Sequence, residues 1–148
     1  MSIKKLFIFL FVIYFFSVGV SLSGELVGPK ILGLQLGMPK DEEEKITKDI
    51  NEKCGDKENK TRYPRGYKDD KLTLFEIPFY LFECKPILKI DDNFLKNFCD
   101  HYKIPSLKRI DQYNYEYENN EFKIRIFTGN FSNGVTVSKI IKNKINFK

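Results

Sequence analysis

Apolar and polar residues alternate most regularly near the C-terminus, in YNYEYENNEFKIRIF (residues 113–127). Two period-two runs meet there at Asn119-Asn120, a pair able to take positive φ in a two-residue hairpin loop. Such a loop would set Tyr117 opposite Phe122, Tyr115 opposite Ile124 and Tyr113 opposite Ile126, all on one face. Glu116 would then meet Lys123, and Asn114 would meet Arg125, on the other face. TGNFSNG (128–134) supplies a second turn and VTVSKII (135–141) a third strand, completing a three-stranded meander.

Upstream the periods change. KILGLQL (Lys30–Leu36) reads as a short strand weakened or bulged at Gly33. Lys40 to Lys53 reads as a helix with a thin apolar stripe of Ile46 and Ile50, and Cys54 follows one turn later. Gly55–Asp70, GDKENKTRYPRGYKDD, is rich in charges and turn formers and reads as a mobile loop. Lys71–Lys85 reads as two extended pieces broken at Pro78, with Leu72, Leu74 and Glu76 in one alternating set and Tyr80, Phe82 and Cys84 in the next. Asp91 or Asp92 caps a second helix over Asn93–Tyr102, where Phe94, Leu95, Phe98, Cys99 and Tyr102 share a face, and Pro105 enforces its end.

These elements define an α+β chain: two helices packed on an antiparallel sheet that includes the C-terminal meander. Residues 1–23 stand apart. Lys4 and Lys5 precede an apolar run from Leu6 to about Phe16, and Ser21 and Ser23 stand at small-residue positions before Gly24, with Ser17 and Gly19 as a second choice. This is the layout of a secretory signal peptide, leaving residues 24–148 as one α+β domain. An uncleaved anchor is the competing reading, disfavoured because the apolar run falls short of the roughly 20 residues of a membrane span. The chain is therefore expected to be exported, to the periplasm or beyond the cell, and without a Cys near the cleavage region no lipoprotein anchor is expected.

Composition narrows the possible chemistry. Fourteen Phe and eight Tyr furnish core material. Net charge falls from +5 to +3 once Lys4 and Lys5 are removed, a mildly basic chain without the dense cationic stripe of a nucleic-acid binder. Lys139, Lys142, Lys144 and Lys148 form a basic tail that could meet an anionic membrane surface or polymer. In the polar loop, Arg62, Tyr63, Arg65, Tyr67 and Lys68 mix aromatic and cationic side chains, the candidate contact residues for an acidic or macromolecular partner; an ordinary exposed loop is the plainer alternative.

Of the three cysteines, Cys99 falls on a helix face as a small buried hydrophobe, which leaves Cys54 to pair with Cys84 in a compartment that permits disulfides. All three reduced is the alternative. Zinc is disfavoured, since no CxxC occurs and His101 is the only histidine. No GxSxG, SxxK or supported Cys-His pair marks a nucleophile, and Asp100 and His101 diverge on their helix. No catalytic residue, metal or cofactor is assigned. The acid run Asp41–Glu44 after Pro39 fits a helix N-terminus, where the dipole favours carboxylates, with Asp41 and Glu44 able to form a capping box if the helix starts later.

In GLQLGMPKDEEEKI (33–46), Gly37, Met38 and Glu42 resemble the G-M-S/T-x-x-E strand-to-helix motif of small exported bacterial domains of the BamE/SmpA-like and β-lactamase-inhibitor-protein-like type. The resemblance implies a pair of helices laid against an antiparallel sheet and protein binding without catalysis. The leading expectation is thus a non-catalytic macromolecule-binding module of the cell envelope with an envelope protein as partner, contacting it through the Arg62–Lys68 loop or an open sheet face. The alternatives are a small envelope hydrolase with a dispersed site and a basic-tailed protein on an anionic surface.

Overall fold

A computed structural model describes residues 25–56, 58, 63–87, 89–129 and 132–141; the expected leader and most of the basic tail lie outside these residues. Six antiparallel strands form the main sheet: β3 (Arg65–Lys68), β4 (Lys71–Pro78), β5 (Lys108–Arg109), β6 (Asn114–Glu118), β7 (Phe122–Thr128) and β8 (Asn133–Lys139). Their order is β3-β4-β8-β7-β6-β5, so the last strand is inserted at the centre between β4 and β7. A separate hairpin, β1 (Val27–Ile31) with β2 (Leu34–Leu36), lies against this sheet.

Two apolar rows cross four strands. Ile77, Val135, Ile126 and Tyr115 make one, and Phe75, Val137, Ile124 and Tyr117 the other. Onto these rows pack Ile31, Leu34 and Leu36 of the hairpin, all fully buried. Period-two alternation puts one apolar and one polar face on β4, β6, β7 and β8, and burying the apolar faces together is the dominant stabilising term.

The meander β6-β7-β8 and the α+β class agree with the sequence expectation, while the hairpin register differs by one step. Tyr117 stands opposite Ile124, Tyr115 opposite Ile126 and Glu116 opposite Arg125. The reason is a longer loop: the Asn119 side chain accepts from Glu121 N at 2.8 Å and Phe122 N at 2.9 Å, closing the four residues inside the Glu118–Lys123 pair. Each partner moves by two residues, which is one side-chain period, so the faces are preserved. Tyr113 lies before β6 and is exposed.

Lys30–Leu36 is not one strand. Leu32 and Gly33 both take positive φ, 48° and 89°, and form the two-residue turn of the β1–β2 hairpin, with Ile31 opposite Leu34. Gly33 also sits close to Ile46, whose Cγ2 would lie 3.3 Å from an added Cβ.

The polar loop reading of Gly55–Asp70 is likewise corrected at its end. Arg65–Lys68 is an edge strand, joined to β4 by a two-residue turn in which Asp69 and Asp70 have φ of 51° and 56°. Edge strands read as polar because one side of them faces water. A bulge then skips Thr73: Gly66 pairs with Leu74 and Tyr67 with Leu72. This extra residue shifts the phase, so Leu72 joins Phe75 and Ile77 in the core while Leu74 and Glu76 face the opposite side.

α1 (Lys40–Lys53) has the bounds its sequence predicts. Pro39 precedes it with extended backbone and no side-chain cap, so Asp41 and Glu44 do not form a capping box. Tyr80, Phe82 and Cys84 are not extended. Pro78 has no N–H for the ladder, and the chain turns into a one-turn helix, α2 (Tyr80–Glu83), a third helix beyond the expected two. Helical spacing lets Phe79 and Phe82 both join the rings of Phe94 and Phe98; Phe79 lies 5.0 Å from Phe94 and 5.4 Å from Phe98 between ring centres. α3 (Asp92–Tyr102) supplies those rings and starts as expected, Asp91 accepting from Phe94 N at 2.9 Å.

Cys54, at the end of α1, and Cys84, at the end of α2, are paired at disulfide distance with Cα atoms 4.8 Å apart. Cys99 is free and partly buried on α3.

Candidate binding surfaces

The five candidate contact residues are divided by the fold. Arg62 lies outside the described residues. Tyr63 turns inward, its hydroxyl hydrogen-bonded to that of Tyr80. Arg65 and Tyr67 alternate with Gly66 and so share the face of β3 that looks toward α1. Arg65 Nε donates to Glu43 Oε1 at 2.6 Å, Tyr67 donates to Glu43 Oε2 at 2.6 Å, and Thr47 donates to Glu43 Oε1 at 2.5 Å. Tyr67 keeps part of its ring exposed while bonding Glu43, and Lys68 points out to solvent, its side chain making no hydrogen bond or ion pair among the described residues.

Glu43 is the centre of this network and is 2% exposed. Burial by itself would push its carboxyl up, but the hydrogen bonds from Thr47, Tyr67 and Arg65 and the Arg65 charge outweigh burial and hold it below the ordinary value. Burial and the bond to Glu43 push the Tyr67 hydroxyl well above the tyrosine range. Arg65 also donates from Nη1 to Glu76 O at 2.7 Å, so one guanidinium joins α1, β3 and β4. Charge-assisted bonds of this kind, closed to water, lock the packing of α1 on the sheet.

Of the four consecutive acids, then, three face solvent and one is buried. The signal was present in the spacing: Glu43, Ile46, Thr47 and Ile50 recur at i, i+3, i+4 and i+7, the inward face of α1. A carboxylate on that face needs a cationic partner, and Arg65 provides it.

The hairpin β1–β2, α1 and α3 all lie on the apolar face of the main sheet. No described helix or strand covers the other face. It carries Leu74, Glu76, Glu116, Glu118, Lys123, Arg125, Thr136 and Ser138. Glu116 ties its two cationic neighbours together, at 3.0 Å to Lys123 Nζ and 2.6 Å to Arg125 Nη2. The bond from Lys123, with help from Arg125, holds the Glu116 carboxyl below its ordinary value despite slight burial.

This face runs into a cleft of about 740 Å³ at the Pro78 end of β4, lined by Glu76, Pro78, Phe127 and Asn133 on the sheet and by Tyr80 and Ile87 from the chain after it. The Phe127 ring lies across Gly134, so close that an added Cβ would stand 2.9 Å from it. Glu76 and Phe127 belong to both the open face and the cleft, making one continuous surface.

Compared with protein-family models, curated proteins and solved structures, the chain finds no match.

His101 is exposed and meets Tyr102 edge-on, 4.6 Å between ring centres, whereas Asp100 bonds to Lys96 at 3.0 Å; the two are not brought together. Among the described residues no group of three His, Cys, Asp or Glu is placed to hold a metal ion. No helix among them is long and apolar enough to cross a membrane.

Proposed function

We propose that the chain is a small exported binding module that holds a protein partner of the cell envelope on the open face of its sheet, without catalysis. The observation that carries this reading is the one-sided sheet: the hairpin, α1 and α3 crowd the apolar face, and among the described residues no helix or strand covers the opposite face, central strand included. Such a face is rigid, so a partner docks on a preformed surface and little ordering entropy is lost. Glu116, Lys123 and Arg125 on it are already paired with one another, so contact at these three does not strand an isolated ion. The adjoining cleft, with Phe127, Pro78 and Tyr80 beside the Glu76 carboxylate, suits an extended polypeptide segment of the partner.

The disulfide-distance pair Cys54–Cys84 is consistent with an oxidising compartment, and the leader-like residues 1–23 support export. The resemblance of the Gly37-Met38 turn to BamE/SmpA-like and β-lactamase-inhibitor-protein-like domains favours a binding role. In this proposal Tyr63 and Arg65 turn inward and Tyr67, partly exposed, bonds Glu43, and the three shape the edge of the sheet beside the exposed Lys68.

A photo-crosslinker placed at Ser138 on the open face is expected to join the full chain to one envelope protein. The same crosslinker at Lys48, on the solvent side of α1, is expected to give no such product. Thr136→Tyr, which adds bulk with a strand-favouring residue, should remove the Ser138 product while the melting temperature holds. Equal products from both positions, or an unchanged product with Thr136→Tyr, would overturn the open-face reading.

A further inference from the structure

At the end of β4 opposite the cleft, both described chain ends meet. Gly37 lies against the first of them: a Cβ there would stand 2.4 Å from Glu25 O and 3.4 Å from Leu26 Cα. Gly37 also lines a groove of about 310 Å³ together with Ile141, the last described residue. The remaining walls carry Lys68, Lys71 and Lys139, against the single acid Asp69. None of these lysines has an ion-pair partner among the described residues. Lys68 and Lys71 are direct cross-strand partners, an unfavourable like-charge placement that fold stability does not require.

Two exposed apolar side chains flank the cations, Leu26 at 54% and Ile141 at 59% exposure. In sequence, the cations Lys142, Lys144 and Lys148 follow this end. Cations beside exposed aliphatics are the pattern of a surface that rests on lipid headgroups, with the aliphatics entering the acyl boundary.

We propose that this end of the molecule docks on a bilayer of anionic phospholipid. Lys68, Lys71 and Lys139 meet the headgroup phosphates, and Leu26 and Ile141 enter beneath them. β4 spans roughly 26 Å at about 3.3 Å per residue, so docking at its Lys71 end holds the cleft at its Pro78 end away from the membrane. The open sheet face is then presented to partners in the aqueous space. This orientation goes beyond the binding role proposed above and stands or falls independently of it.

The test is amine-reactive labelling of the full chain at 0.1 M salt, alone and with vesicles of phosphatidylcholine or of phosphatidylcholine mixed with phosphatidylglycerol. Lys68, Lys71 and Lys139 are expected to lose at least threefold in reactivity on the mixed vesicles only, while Lys45, Lys53 and Lys103 keep theirs. Equal protection of both sets, protection on neutral vesicles to the same extent, or no protection would overturn the proposal. As a second measurement, Lys68→Gln, Lys71→Gln and Lys139→Gln together should lower the excess of sedimentation with anionic over neutral vesicles at least tenfold. The triple variant Lys45→Gln, Lys53→Gln and Lys103→Gln should leave that excess unchanged, and an equal loss in this control would show net charge alone at work and overturn the docking site.

Discussion

Arg65 and Glu43 form an ion pair of 2.6 Å whose side chains are only 12% and 3% exposed, joining the edge strand β3 to the first turn of α1 across 22 residues of sequence. Among the described ion pairs it is the one most closed to water, and its energetics differ from those of the exposed i,i+4 pairs on α1 and α3.

Removing one partner leaves the other charged and buried. Arg65→Ala is expected to lower unfolding stability by about 3 to 5 kcal/mol, read as a fall in the urea midpoint at constant slope. Glu43→Leu with Arg65→Met should recover most of that loss, because replacing the whole pair by apolar groups avoids an unpaired charge. A midpoint unchanged in Arg65→Ala would mean the pair contributes nothing to the fold.

The same network predicts a pH window. The Glu43 carboxyl is held below its ordinary value of 4.5 when folded, so its stabilisation is complete above that pH and is lost as pH falls through the lower folded value. The Tyr67 hydroxyl is raised above its ordinary value of 10.0, so its contribution is complete below pH 10 and is lost as pH rises beyond. Stability should therefore be level in this respect between about pH 5 and pH 9 and fall on both sides. With Tyr67→Phe, the alkaline fall assigned to this group should shrink in denaturation curves measured from pH 8 to 11.

The disulfide joins residues 30 apart in sequence. Closing a loop of that size stabilises by about 3 to 4 kcal/mol in the chain-entropy model, so Cys54→Ala with Cys84→Ala should lower the denaturation midpoint by that equivalent. In the oxidised native protein only Cys99 should react with a thiol reagent, and slowly at pH 8, because burial pushes its thiol up. Mass spectrometry locating the label on Cys54 or Cys84 would contradict the pairing.

Gly37 has φ of 89°, and a Cβ on it would press on Glu25 O at 2.4 Å. Gly37→Ala should therefore cost more than ~1 kcal/mol through strain and the clash with backbone together. Its amide donates to Leu72 O at 2.8 Å and Met38 O accepts from Leu72 N at 2.9 Å, so the hydrogen exchange of Leu72 should quicken in the variant. Unchanged exchange and an unchanged midpoint would show that the turn tolerates a side chain.

Local period and local capping carried the readable part of this protein. The bounds of α1, the cap at Asp91, the two faces of the meander and the pairing of Cys54 with Cys84 all follow from residues within a few positions of one another, or from the helical spacing that sets Cys99 aside. The candidate contact residues were legible as a composition, aromatics among cations, but not as a surface, because exposure depends on what packs against them. Spacing put Glu43 on the inward face of α1, yet nothing local named Arg65 as its partner.

What only the tertiary structure decided are the relations that cross long stretches of chain. The insertion of β8 between β4 and β7, the bulge at Thr73 that turns Leu72 inward, and the one-turn helix α2 drawn into the ring cluster of Phe94 and Phe98 each trade a local preference for burial elsewhere. So do the inward turn of Tyr63 and Arg65, the bond from Tyr67 to Glu43, and the meeting of Glu25, Gly37 and Ile141 at one groove. Side-chain period is a property of consecutive residues, whereas burial is shared by residues far apart, and it is burial that settles which polar groups are held inside and which are left for partners.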